Sequence, residues 1–128
     1  MGVIYIASLR TTRMTAVRDA IDAGSGPGTI EIGTSAMGTI LAILTCSDPC
    51  GTVSGDVLTF SAITADTSAD ATGTAAAARI KDSNGNIVVS GLTVGTSGAN
   101  INLNSTSITA TQNVAMTSAT LTHNTSGT

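Results

Sequence analysis

Hydrophobic positions change their spacing once along this chain, near residue 28. Between Ser8 and Ala23, Leu9, Met14, Val17, Ala20 and Ile21 recur at helical intervals, while Arg10, Arg13, Arg18, Asp19 and Asp22 share the other side. Ser8 is a candidate N-cap, as are Thr11 or Thr12 for a later start, because a short hydroxyl side chain can accept an orphaned amide. The run Gly24-Ser25-Gly26-Pro27-Gly28 cannot continue a helix and predicts a linker.

From Thr29 onward the period is two, the repeat of a strand with alternate faces. Thr29–Gly33 sets Ile30 and Ile32 against Glu31, and Gly38–Thr45 carries an apolar run on both faces, which predicts a covered strand. Ser47-Asp48-Pro49 predicts a turn. A strand over Asp56–Ala65 puts Leu58, Phe60 and Ala62 on one face, followed by a polar loop over Asp66–Asp70. Further strands are expected over Ala71–Asp82, Ile87–Val94, Ile101–Leu103, Ser107–Ala110 and Asn113–Thr122, with a frayed tail over His123–Thr128. The sharpest local signal is Asp82-Ser83-Asn84-Gly85-Asn86: Asn-Gly suits a two-residue hairpin turn, pairing Arg79–Lys81 with Ile87–Val89. The fold class expected is mainly β, a single β-sandwich or jelly-roll-like domain with one N-terminal α-helix. Its parts are an arm over 1–7, a helix over 8–23 and the sandwich over 24–128.

Composition narrows the function classes. Only 10% of residues are charged and 2% aromatic, so the core is aliphatic and thin and the outer faces are neutral. Association with copies of itself or a partner is the expected supplement. The formal charge of −3 argues against nucleic acid, which needs clustered cations. Arg10, Arg13 and Arg18 gather on the helix, where a solvated face is the plain reading and an acidic partner the alternative. Met1–Ser8 lacks a basic flank and is too short to span a bilayer, and Ile6 stands where a myristoylation signal takes Ser or Thr. No membrane partner is expected, and synthesis in the cytoplasm is.

Candidate chemistry is sparse. Cys46 and Cys50 flank the Ser47-Asp48-Pro49 turn; they lack a second ligand pair for a metal, and could close a small disulfide or remain free thiols. Asp82–Asn86 imitates the start of a calcium loop, but Ile87 and Thr93 occupy the places of its Gly and Glu. Asp66 and Asp70 could offer oxygen ligands from one loop. The glycines of Gly24–Gly28 follow a helix instead of preceding one, the reverse of a phosphate cradle. His123 has no acid beside it, no nucleophile elbow is present, and the sequons at Asn104 and Asn124 carry little weight without a secretory signal. No catalytic residue, metal or cofactor is expected, and the enzyme class is disfavoured.

Five stretches together resemble a group of small virion structural proteins of tailed bacteriophages and prophages. They are Asp22–Thr29, Leu44–Pro49, Ala62–Thr74, Asp82–Asn86 and Val94–Asn104, in an order and spacing that cover most of the chain. Cys46 and Cys50 depart from the usual pattern of the group. The resemblance implies a capsid decoration (cement) protein, a non-enzymatic β-sandwich on the outer capsid surface of the virion. Its implied partners are the major capsid protein and itself, as a dimer or trimer. Under this reading Val3, Ile4, Tyr5 and Ile6 form a docking arm that adds to a neighbouring sheet, because an apolar terminus beside a thin core needs cover. The bland alternative makes them the first strand of the chain's own sheet. Rival functions are a tail, fibre or baseplate-associated subunit and a carbohydrate-binding adhesion module, the latter short of aromatic platforms beyond Tyr5 and Phe60.

Overall fold

A computed structural model describes residues Tyr5–Thr122. Val3, Ile4, His123 and Asn124, singled out above, lie outside the described residues. Among the described residues one α-helix, α1 (Ala7–Ile21), is followed by ten strands, with a short 3-10 helix over Ser35–Met37. They are β1 (Thr29–Gly33), β2 (Ile40–Thr45), β3 (Gly51–Ser54), β4 (Val57–Phe60), β5 (Gly73–Thr74), β6 (Ala77–Lys81), β7 (Ile87–Gly95), β8 (Ile101–Leu103), β9 (Ser107–Ile108) and β10 (Met116–Thr122). Eight form one sheet in the order β2-β1-β6-β7-β8-β10-β4-β3, and β5 pairs with β9 in a small second sheet.

The large sheet curls so that its two halves share one core. Ile30, Ile32, Leu44 and Ile80 from the β2-β1-β6 half and Leu58, Ile101 and Leu103 from the other half belong to a single buried cluster. This is the sandwich-like, mainly β domain with one helix that the alternating pattern predicts. All ladders are antiparallel except β7 with β8. Neighbouring parallel strands normally need a crossover of a dozen residues. Here a short loop suffices because side chains complete it: Asn100 Oδ1 accepts from Thr93 N at 3.0 Å, and Asn102 Oδ1 accepts from Ala99 N at 3.0 Å.

Helix α1 starts and stops earlier than its apolar spacing predicts. Its N-cap is Ile6, with no side-chain cap, while Thr11, Thr12 and Thr15 turn their hydroxyls back onto carbonyls four residues earlier. Met14 and Ile21 are buried, but Leu9 is exposed, because only the C-terminal half of α1 lies over the core. At that end Gly28 is required: a Cβ there would sit 2.6 Å from Lys81 O and 2.8 Å from Ile21.

Several strands are shorter than expected. Gly38 and Thr39 belong to the β1–β2 turn, where Ala36 and Met37 take φ of 57° and 58° and Thr34 Oγ1 accepts from Thr39 N at 2.9 Å. The expected strand Asp56–Ala65 ends at Phe60, Ala71–Asp82 divides into β5 and β6, and Asn113–Thr122 begins at Met116. The covered strand β2 is covered only in part: Leu41 packs beneath the β5 segment, and Ile43 stays 40% exposed.

The Asn-Gly hairpin pairs as predicted, Ile80 with Val89 and Lys81 with Ile87. Its loop has three residues instead of two. Asp82 N donates to Asn86 O, and Gly85 supplies the left-handed φ of 88° that a type I turn with a bulge requires. Asp82 selects this longer loop by accepting from Asn84 N and Asn86 N, each at 2.9 Å.

Candidate functional site

The N-terminal end of α1 rests on the β3–β4 turn. Arg10 Nε bonds Asp56 Oδ1 at 2.7 Å and its guanidinium also reaches Tyr5 O, while Thr11 Oγ1 donates to Gly55 O at 2.9 Å. Arg13 stacks its guanidinium 4.6 Å from the centre of the Tyr5 ring. The solvated arginine face expected from sequence is therefore partly engaged: the Arg10 side chain keeps only 15% of its exposure. Tyr5 and Ile6 enter the helix from irregular backbone and not from a strand, so these two residues do not support the own-sheet alternative. Ile6 is 72% exposed, the most exposed of the large apolar side chains among the described residues.

Cys46 and Cys50 are free and buried. Cys50 N donates to Asp22 Oδ1 at 2.9 Å, so the carboxylate that ends α1 also fixes the connection between β2 and β3. Burial, and then the Asp22 charge, push both thiols up to about 12. Such groups are neutral and slow to react.

The remaining carboxylates have structural partners. Asp66 Oδ2 accepts from Ile43 N and Asp66 Oδ1 from Ser68 N, which covers the β2 edge, and Thr64 and Asp70 add backbone bonds to Thr45 and Leu41. No group of three metal-ligating side chains occurs among the described residues. Glu31 is 8% exposed and sits between Arg79 Nε at 2.5 Å and Lys81 Nζ at 3.2 Å. Burial alone would raise its carboxyl; the hydrogen bonds and charges of Arg79 and Lys81 outweigh burial and hold it below the usual carboxylate range.

Glu31→Gln leaves two cations facing each other and should cost about 2 kcal/mol at pH 7, less than a fully buried pair because both cations reach solvent. A carboxyl whose folded value is depressed stabilises above its unfolded value and loses that contribution as pH falls through the folded one. The difference between wild type and variant should therefore shrink below about pH 4. Urea midpoints at pH 7 and pH 3 check this, and an equal gap at both would contradict the assignment.

Comparison with known proteins found no matching family, no matching curated protein and no matching solved structure.

Two surface clefts stand out among the described residues. One, of about 260 Å³, lies between α1 and the sheet and is lined by Met14, Val17, Val89, Leu92, Asn100 and Leu121, with Thr122 at its rim. The other, of about 250 Å³, is lined by two consecutive stretches, Phe60–Ile63 and Met116–Ala119. No charged side chain lines either cleft. Sequence reasoning missed the second cleft because both stretches read as uninterrupted strand.

Proposed function

We infer that this chain is a non-enzymatic structural protein of tailed-phage virions, a capsid decoration protein that binds the outer face of the major capsid protein shell. The observation that carries this reading is the chemistry of its exposed strand positions. Thr52, Ser54, Thr59, Ser90, Thr93, Thr117, Ser118 and Thr122 all face solvent. Hydroxyl faces can be buried against protein without stripping water from charges, as a lasting clamp between subunits demands. Ile6, beside the helix-on-turn contact, is exposed and apolar, as a docking residue would be. The resemblance across Asp22–Asn104 favours the same class.

The test is sedimentation of purified protein with heads of the phage that encodes it, followed by particle reconstruction. Copies at regular lattice points on the head are expected. Protein left in the supernatant, or ordered instead along the tail, would overturn the decoration reading.

A further inference from the structure

The tip of the β6–β7 hairpin carries the one Asn-Gly step of the sequence, Asn84-Gly85. Both residues are exposed. Gly85 has no side chain to shield its backbone nitrogen, which is the next chain atom but one to the Asn84 Cα. The Asn84 carboxamide makes no hydrogen bond among the described residues. It lies over Gly24, where a Cβ would come within 3.2 and 3.3 Å of its nitrogen and oxygen. Other asparagines are held. Asn86 Nδ2 donates to Asp82 Oδ2 at 3.1 Å, Asn100 Oδ1 accepts from Thr93 N, and Asn102 Oδ1 accepts from Ala99 N. Each of those three precedes a bulky aliphatic residue: Ile87, Ile101 and Leu103.

We propose that Asn84 is a site of spontaneous deamidation whose rate Asp82 sets by holding the loop. The Gly85 nitrogen gives its proton to solvent base and attacks Cγ of Asn84. The new C–N bond closes a five-membered succinimide ring, and the bond from Cγ to the carboxamide nitrogen breaks, releasing ammonia with a proton from solvent. Water then opens the ring at either carbonyl, giving aspartate or isoaspartate. One water is consumed and one ammonia released, with no redox change.

The native loop opposes this. Gly85 N is engaged with Asp82 O at 3.1 Å, and Asp82 Oδ1 holds the amides of Asn84 and Asn86 at 2.9 Å each. Bonds to a carboxylate are the stronger kind, so the loop must open before the nitrogen can swing onto Cγ. The consequence runs one way. Isoaspartate adds a methylene to the main chain between residues 84 and 85, so the amides beyond it no longer fall in place around Asp82. Either product sets a second carboxylate beside that of Asp82, and like charges repel. Ser83 Oγ, in the same loop, donates to Ala23 O at 3.0 Å and ties the hairpin to the end of α1. Conversion of Asn84 therefore loosens hairpin from helix, whichever partner the chain binds.

The test is incubation of the purified chain at mildly alkaline pH and body temperature, in buffer and in concentrated urea, followed by peptide mass spectrometry. In buffer the peptide holding Asn84 should gain one mass unit before any other asparagine peptide, and it should resolve into two isomers. Wild type in urea should react about tenfold faster, a readout that needs no variant to fold. Asp82→Ala should quicken the reaction in buffer by a similar factor, and Asp82→Ser, which keeps a single acceptor, should fall between. Asn84→Gln should abolish the gain. No gain at Asn84 in buffer, an earlier gain at another asparagine, a single isomer, equal rates in buffer and urea, or Asp82→Ala reacting at the wild-type rate would each overturn the proposal.

Discussion

Ile80→Ala should lower stability by about 3 kcal/mol, while Leu9→Ala should change it by no more than about 0.5 kcal/mol. Both residues are aliphatic and sit at periodic positions. Ile80 is the penultimate residue of β6, directly across from Ile30 in β1 and Val89 in β7, and is fully buried. Truncation leaves a cavity that strands paired on both sides cannot collapse into. The core has few large side chains with which to compensate, since Phe60 is its one aromatic member among the described residues. For a chain of this size the loss corresponds to a fall in Tm of roughly 10 °C. Leu9 is 40% exposed on the N-terminal half of α1, which meets the β3–β4 turn through Arg10 and Thr11, so its removal uncovers little. Urea titrations at constant m-value check the pair, and similar midpoint shifts in both would mean that the N-terminal half of α1 packs more closely than the structure has it.

The contrast between these two leucine-like positions marks how far the chain could be read in advance. Periodicity identified the helix, the change to strands and the hairpin at Asn84-Gly85, because those depend on neighbours in sequence. It placed Leu9 with Met14 and Ile21 because spacing defines a face but not how much of that face meets the sheet. Strand β3 escaped it for a different reason. Gly51-Thr52-Val53-Ser54 has one large apolar side chain, and Gly51 is needed because a Cβ there would lie 2.3 Å from Thr59 O. The signal that was present is Gly55-Asp56, with φ of 59° at Gly55, a two-residue hairpin loop closed by Ser54 and Val57. The second cleft was illegible by nature. Phe60–Ile63 and Met116–Ala119 alternate like ordinary strand, yet they stay unpaired between the Thr59–Thr120 pair and the Asp66–Val114 bridge, while Thr64 bonds Thr45 instead, contacts between distant residues. Likewise Asp66 and Asp82 resembled ligand donors, whereas each is consumed by backbone amides close in space.

Cys46 and Cys50 should resist alkylation in the folded protein by a factor of about 10³ relative to the unfolded chain. At pH 8 an ordinary thiol is about one quarter ionised, whereas one pushed up to about 12 carries roughly one thiolate in ten thousand. Access works in the same direction, because both side chains are buried beneath the end of α1, with Cys50 Sγ 4.0 Å from Arg18 O. The measurement is the rate of iodoacetamide labelling read by mass, in buffer and in concentrated urea. Two slow thiols that become fast together on unfolding are expected, and rapid labelling of either in buffer would contradict the packing of α1 on this turn. The same experiment separates the alternatives that sequence left open for this pair. A bond between Cys46 and Cys50 would keep both silent even in urea until a reductant was added. A change of Asp22 to Asn would keep the thiols buried but remove the nearby charge, so labelling should quicken only modestly, since burial is the larger cause of the shift.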